Sequence, residues 1–184
     1  MGIGGGLNAM QLLAISGSLR STSSNSVLLR AAARLAPEGV SVQPEERMGL
    51  LPHFNLELDV PDVVAGLKRA VREADGVVFC TPEYVHGLPG SLKNLLDWLV
   101  SDGELWDKAV AVLSVKRTEF AEPQLREILR TLMARLCEKS SVLVPFSTNR
   151  MSVDEVLAQP ELAEPLRLAV ENFARFAHSQ KLPS

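Results

Sequence analysis

Two polar loops hold most of the side chains able to do chemistry. The first, Ser16-Gly17-Ser18-Leu19-Arg20-Ser21-Thr22-Ser23-Ser24-Asn25-Ser26, follows an apolar run directly and runs straight into a segment of helical period. Hydroxyls, an amide and the free amides of a helix start all donate to an anion, the helix dipole adds to them, and a guanidinium such as Arg20 pairs with phosphate through two parallel bonds. The loop therefore reads as a phosphate site, with Ser16, Ser18, Arg20, Ser23, Ser24 and Asn25 as its residues. Ser24 and Asn25 are also good helix caps, and simple capping is the competing reading. The loop lacks the Gly-Lys-Ser/Thr ending of a triphosphate loop and the G-x-G-x-x-G spacing of a dinucleotide loop.

The second loop, Thr81-Pro82-Glu83-Tyr84-Val85-His86-Gly87-Leu88-Pro89-Gly90-Ser91, is dense in turn formers. Pro82, Gly87, Pro89 and Gly90 bend the backbone so that not every N–H finds an internal acceptor, which is how a loop offers donors to a flat heterocycle. Tyr84 is the only tyrosine of the chain; its ring either borders a ligand or closes the end of the core. His86 would need a partner within about 3 Å to act as an acid or base, so it is given no catalytic role. A third loop carries Lys116 and Arg117, either a solvated pair or a lure for phosphates.

Composition narrows the classes. The chain has 184 residues, 46% of them apolar and 22% charged, with a formal charge of -3. One domain is the default at this length, and folding removes roughly 70% of the unfolded chain's surface from water. Lys and Arg are scattered rather than blocked, which argues against a nucleic acid or membrane partner. Cys80 and Cys137 sit in apolar stretches without metal-ligand spacing, so no metal site and no disulfide framework is expected. No apolar run is long enough to span a bilayer, and the start of the chain lacks the pattern of a signal peptide. A cytoplasmic location is the expectation. Residues 1–9, with a glycine-rich tract at 2–6, read as a flexible leader, and residues 10–184 as one domain.

Apolar runs at residues 12–15, 76–80, 109–113 and 142–146 are continuous rather than alternating, as strands covered on both faces require. Residues 40–43 are a weaker strand. Helical periodicity marks residues 24–36, 61–74, 89–100, 123–139 and 166–177. Pro61 and Pro123 suit a first helical position, and Pro165 predicts a helix start or a kink nearby. Strict βα alternation gives an α/β fold, a doubly wound parallel sheet whose ligands bind at the carboxyl ends of the strands. The segment 89–100 carries Leu92, Leu95, Leu96, Trp98, Leu99 and Val100, more apolar surface than one sheet face covers, and so predicts a partner subunit.

The residues Gly17-Ser18-Leu19-Arg20, Ser23 and Asn25, then Thr81-Pro82-Glu83-Tyr84 and Pro89-Gly90-Ser91-Leu92-Lys93-Asn94-Leu95-Leu96-Asp97-Trp98, closely resemble the NAD(P)H-dependent FMN reductases, whose members include quinone, azo-dye and chromate reductases. The resemblance spans roughly residues 10–178. It implies a flavodoxin-like, three-layer doubly wound sheet of five parallel strands in the order 2-1-3-4-5. It assigns the FMN phosphate to Ser18, Arg20, Ser23 and Asn25, and sets Pro82, Glu83, Tyr84, Val85 and His86 against the ring. Gly87, Ser114 and Lys116 complete the expected cofactor contacts.

In function, the resemblance implies an oxidoreductase that passes hydride from NADPH or NADH through FMN to a small-molecule electron acceptor such as a flavin or a quinone. It also implies a homodimer or homotetramer. Hydride transfer itself needs no acid or base, and none is assigned. Glu83 is expected to bond nearby backbone rather than to donate a proton. Many members carry Asn after Pro-Glu-Tyr where this chain has Val85, and the 114–120 loop has no glycine. These departures motivate the alternative of an FMN-binding carrier or regulatory protein without efficient turnover.

Overall fold

The computed structural model describes residues 10–179; the leader expected at 1–9 lies outside them. Along the chain run β1 (Met10–Ser16), α1 (Ser24–Arg34), β2 (Val40–Pro44), α2 (Asp62–Glu73), β3 (Gly76–Cys80), α3 (Gly90–Trp98), β4 (Ala109–Leu113), α4 (Ala121–Thr131), β5 (Arg135–Leu136), α5 (Val153–Leu157) and α6 (Pro160–Ser179). All strand pairs are parallel and the sheet order is β2-β1-β3-β4-β5. This is the flavodoxin-like arrangement the resemblance implied.

The reason for the three layers is visible in the central strands. In β1, Leu12 and Ala14 face one side while Leu13 and Ile15 face the other; in β4, Ala111 and Leu113 oppose Val110 and Val112. One face packs against α1 and α6 through Leu28, Leu166, Val170 and Phe173. The other packs against α2, α3 and α4 through Leu67, Leu92, Leu95 and Leu125. Side chains pointing alternately into two cores have to be apolar at every position, hence the unbroken runs.

Gly76 opens β3 where the Phe173 ring lies 2.8 Å from the position a Cβ would take, so only glycine lets α6 sit flat on the sheet.

The last third of the chain departs from the sequence reading. Residues 123–139 are not one helix: α4 ends at Thr131, Met133 adopts a left-handed φ of 59°, and the chain returns as β5 two residues later. The strand expected at 142–146 instead extends the same sheet edge beyond a 3-10 turn at Glu138–Ser140, bonding β4's end through Ser114 N to Val142 O and Val144 N to Ser114 O.

The prolines also differ from expectation. Pro61 is the N-cap of α2 rather than its first residue, and Pro123 is the third residue of α4. Both positions lie among amides with no intrahelical acceptor, so neither costs a bond. Pro165 neither starts α6 nor stops it; the helix begins at Pro160, and Leu162 and Leu166, both buried, hold that turn on the core. α5 has no counterpart in the sequence reading. Its capping box, Ser152 with Glu155, secures a helix too short to show a period.

Candidate functional site

The first loop is built on two anchors. Gly17 N donates to Cys80 O at 2.7 Å, and a Cβ on Gly17 would stand 2.5 Å from Thr81 Oγ1, so the chain leaves β1 pressed against the end of β3. Beyond it the serines bond one another. Ser16 Oγ and Ser23 Oγ both lie within 3.0 Å of Ser26 Oγ, and Ser23 caps α1 by accepting from Ser26 N at 3.1 Å. This fixes the amino end of α1 while spending only one of its free amides. The amides of Ser24 and Asn25 have no acceptor among the described residues. They point where a helix N-terminus attracts an anion.

The second loop folds into a two-residue turn. Tyr84 and Gly87 exchange both backbone bonds at 3.0 Å, and Val85 and His86 between them have φ of 49° and 56°. Positive φ at both central positions is the turn type normally filled by Asn-Gly. Three contacts pin this turn to α4. Glu83 Oε2 accepts from Phe120 N at 2.8 Å and Ala121 N at 3.0 Å, Leu88 N donates to Gln124 Oε1 at 2.9 Å, and the His86 ring meets Phe120 edge-on at 4.6 Å. The amides of Ala121 and Phe120 hold the Glu83 carboxyl below its ordinary range. Glu83 thus bonds backbone, as the sequence reading expected, and with Thr118, whose Oγ1 accepts from Glu122 N at 3.0 Å, serves the amino end of a helix whose N-cap residue, Phe120, offers no side-chain bond.

Between the two loops, at the carboxyl ends of the strands, lies a cleft of about 820 Å³. Ser18, Arg20, Ser23, Ser24 and Asn25 line one end, Pro82, Glu83 and Tyr84 one wall, and Lys116 the rim. Ser16, Val85, His86, Gly87 and Ser114, expected at the same site, do not line it. The Ser16 hydroxyl is tied into the serine network, and Ser114 Oγ donates to Glu122 at 2.6 Å. Val85 is 98% exposed and projects off the turn.

The cleft has residues the sequence reading passed over: Thr81, and above all Asn149, Arg150, Met151 and Ser152 ahead of α5. They follow the strand segment at 142–146, where the carboxyl-end rule points, but residues 147–152 hold no glycine or proline to mark them as a binding loop.

The charge of the cleft is one-sided. Arg20, Arg30, Lys116 and Arg150 line it with no ion pair among the described residues, while Glu83, its single acid, is turned into α4. Such a volume is that of a cofactor site. Four cations without ion pairs, together with a helix N-terminus, fit a phosphate, and the proline-stiffened wall fits a flat ring. Fold and site together define a flavodoxin-like α/β protein with a cationic cleft at the carboxyl ends of its strands.

The family model for NADPH-dependent FMN reductases matches residues 10–149. An NAD(P)H-dependent FMN reductase of Pseudomonas aeruginosa is 34% identical over 149 residues, covering 76% of this chain and 80% of that protein. A quinone reductase of Escherichia coli K12 is 30% identical over 165 residues, with 83% and 88% covered. The flavoenzyme NAD(P)H:(acceptor) oxidoreductase FerB of Paracoccus denitrificans has a TM-score of 0.82 at 25% identity, covering 94% of this chain and all of that one. The chain belongs to the NADPH-dependent FMN reductase family.

Proposed function

We propose that the cleft binds FMN with its phosphate at the amino end of α1 and its ring along Pro82, Glu83 and Tyr84, and that the protein passes hydride from NADPH or NADH to a quinone-type acceptor. As a member of this family the chain is an FMN-dependent oxidoreductase that uses NAD(P)H. The observation that carries the site assignment is the cleft joining four cations without ion pairs and a helix N-terminus to a stiffened wall. When bound, the flavin supplies the hydride relay between nicotinamide and acceptor.

The chain's residues bind and orient. Arg20 and the amides of Ser24 and Asn25 serve the phosphate end, while Lys116 and Arg150 at the rim favour the phosphates of an incoming nicotinamide nucleotide. The wall's one carboxylate, Glu83, commits its Oε2 to two amides at the start of α4. That matches a reaction in which the protein supplies position rather than acid or base.

Assembly belongs to the same reading, on different grounds from those the sequence offered. The apolar residues of α3 do not call for a partner: Leu92, Leu95, Leu96, Trp98 and Leu99 are all buried within the chain. The segment before α2 covers them, with Phe54 edge-on to Trp98 at 5.1 Å and Trp98 Nε1 donating to Pro52 O at 2.9 Å. Exposed apolar surface sits on that covering segment, at Leu50, Leu56, Leu58 and Val60, and at Val100 just past α3. It supports a homodimer or homotetramer. A cytoplasmic setting is part of the proposal; no described helix is long and apolar enough to cross a membrane.

Purified protein loaded with FMN tests the function. Yellow absorbance bleached by NADPH without oxygen and restored by a quinone supports it. Flavin that binds and stays oxidised under NADPH marks a carrier and overturns it.

A further inference from the structure

Asn25 is the second residue of α1, lines the cleft and is 5% exposed. Its Oδ1 accepts from Cys80 Sγ at 3.1 Å, a buried bond spanning 55 residues of sequence. Its Nδ2 has no partner among the described residues. A carboxamide has two ends of almost equal shape and opposite character. Turned one way, it presents N–H donors to the cleft; turned the other, it presents an oxygen lone pair, which repels an anion. Nothing about Asn25 alone decides between the two.

We propose that Cys80 is a positioning residue for the flavin phosphate: its thiol proton holds Asn25 Oδ1 inward, so that Nδ2 faces the cleft as a donor. The inference rests on the phosphate reading of the first loop. A neutral thiol is a weak donor and a weak acceptor, and here it is spent as a donor on the amide oxygen at 3.1 Å. A thiolate would select the NH2 end and turn the oxygen toward the ligand. Burial, with a smaller push from the charge of Glu122, drives the Cys80 thiol far above its ordinary range and keeps it a donor. The same residue takes the Gly17 amide on its carbonyl oxygen, so one position at the end of β3 sets both the path of the loop and the face of its amide.

Affinities for FMN and riboflavin, which differ only in the phosphate, test this by titration of the apoprotein and its variants. Cys80→Ala removes the donor; FMN affinity falls about three- to tenfold while riboflavin affinity is unchanged, the loss expected for one hydrogen bond to a charged group's neighbour. Cys80→Ser restores a donor and returns the preference for FMN. Should Cys80→Ala not fold, Cys80→Val lacks the donor equally and carries the same expectation. A donorless variant that keeps the wild-type FMN-to-riboflavin ratio overturns the proposal. So does a serine variant that loses the ratio as alanine does, since packing rather than donation would then be at work. Wild-type protein that fails to distinguish FMN from riboflavin is a separate result: it removes the phosphate reading itself.

Discussion

Val85 bears a φ of 49° with its side chain 98% exposed, so a β-branched residue occupies left-handed backbone without any packing to offset it. That conformation costs a non-glycine residue of this kind about 1–2 kcal/mol. Val85→Asn therefore stabilises the protein by about 1 kcal/mol, read as a rise in Tm; an unchanged or lower Tm contradicts the strain. Arg20 illustrates the opposite case, a residue whose worth appears only with a ligand. It is exposed and forms no ion pair among the described residues, so Arg20→Ala leaves Tm in place. Its effect is on FMN, whose binding weakens by about 1.5–3 kcal/mol in a flavin fluorescence titration. Both residue types were legible in the sequence. The strain at Val85 was not, because residue type shows a departure from Asn but not the turn that makes it costly.

The joints between elements explain how the loops keep their shape. Gly17 is where β1 meets the end of β3, and a methyl group there collides with Thr81. Gly17→Ala is expected to destabilise the fold by about 1–3 kcal/mol, as overpacking does, and to weaken FMN binding together with Tm. Retention of both would show that the loop has room the structure denies it. The amino end of α4 depends on Glu83, whose carboxyl is held low in the folded state by the amides of Ala121 and Phe120. A depressed pKa stabilises above the unfolded value and ceases to do so as pH falls through the folded one. The Tm gap between wild type and Glu83→Gln is accordingly full at neutral pH and closes as pH drops below about 4.5, the unfolded carboxyl's value. A gap that widens in acid contradicts the assignment. The elements least legible in the sequence lie just beyond: Leu132, Met133 and Leu136 continue the helical stripe of α4, and no pattern reveals that Met133 reverses the chain.

On the scale of the whole molecule, the layered parallel sheet is legible in runs that have to be apolar on both faces, its strand order in the family resemblance alone, and the place of the cleft in where such a sheet binds ligands. What escaped was the edge of the sheet. β5 is two residues long, its continuation at 142–146 meets β4's end through the bridge of Ser114 and Leu143, and the segment after it, with Asn149 and Arg150, has no glycine or proline to mark it as part of a site. The apolar surface of α3 misled for a related reason: periodicity counts apolar positions, but it does not show that residues 51–54 fold back over Trp98. The central claim is that one cleft takes a phosphate at α1 and a flat ring at the Pro-Glu-Tyr turn. A crystal structure of the protein soaked with FMN tests this most directly. The account predicts the phosphate within hydrogen-bond distance of Arg20 and the amides of Ser24 and Asn25, with the ring along Pro82 and Tyr84; FMN lodged elsewhere, or the same cleft filled by the protein's own side chains, would contradict it.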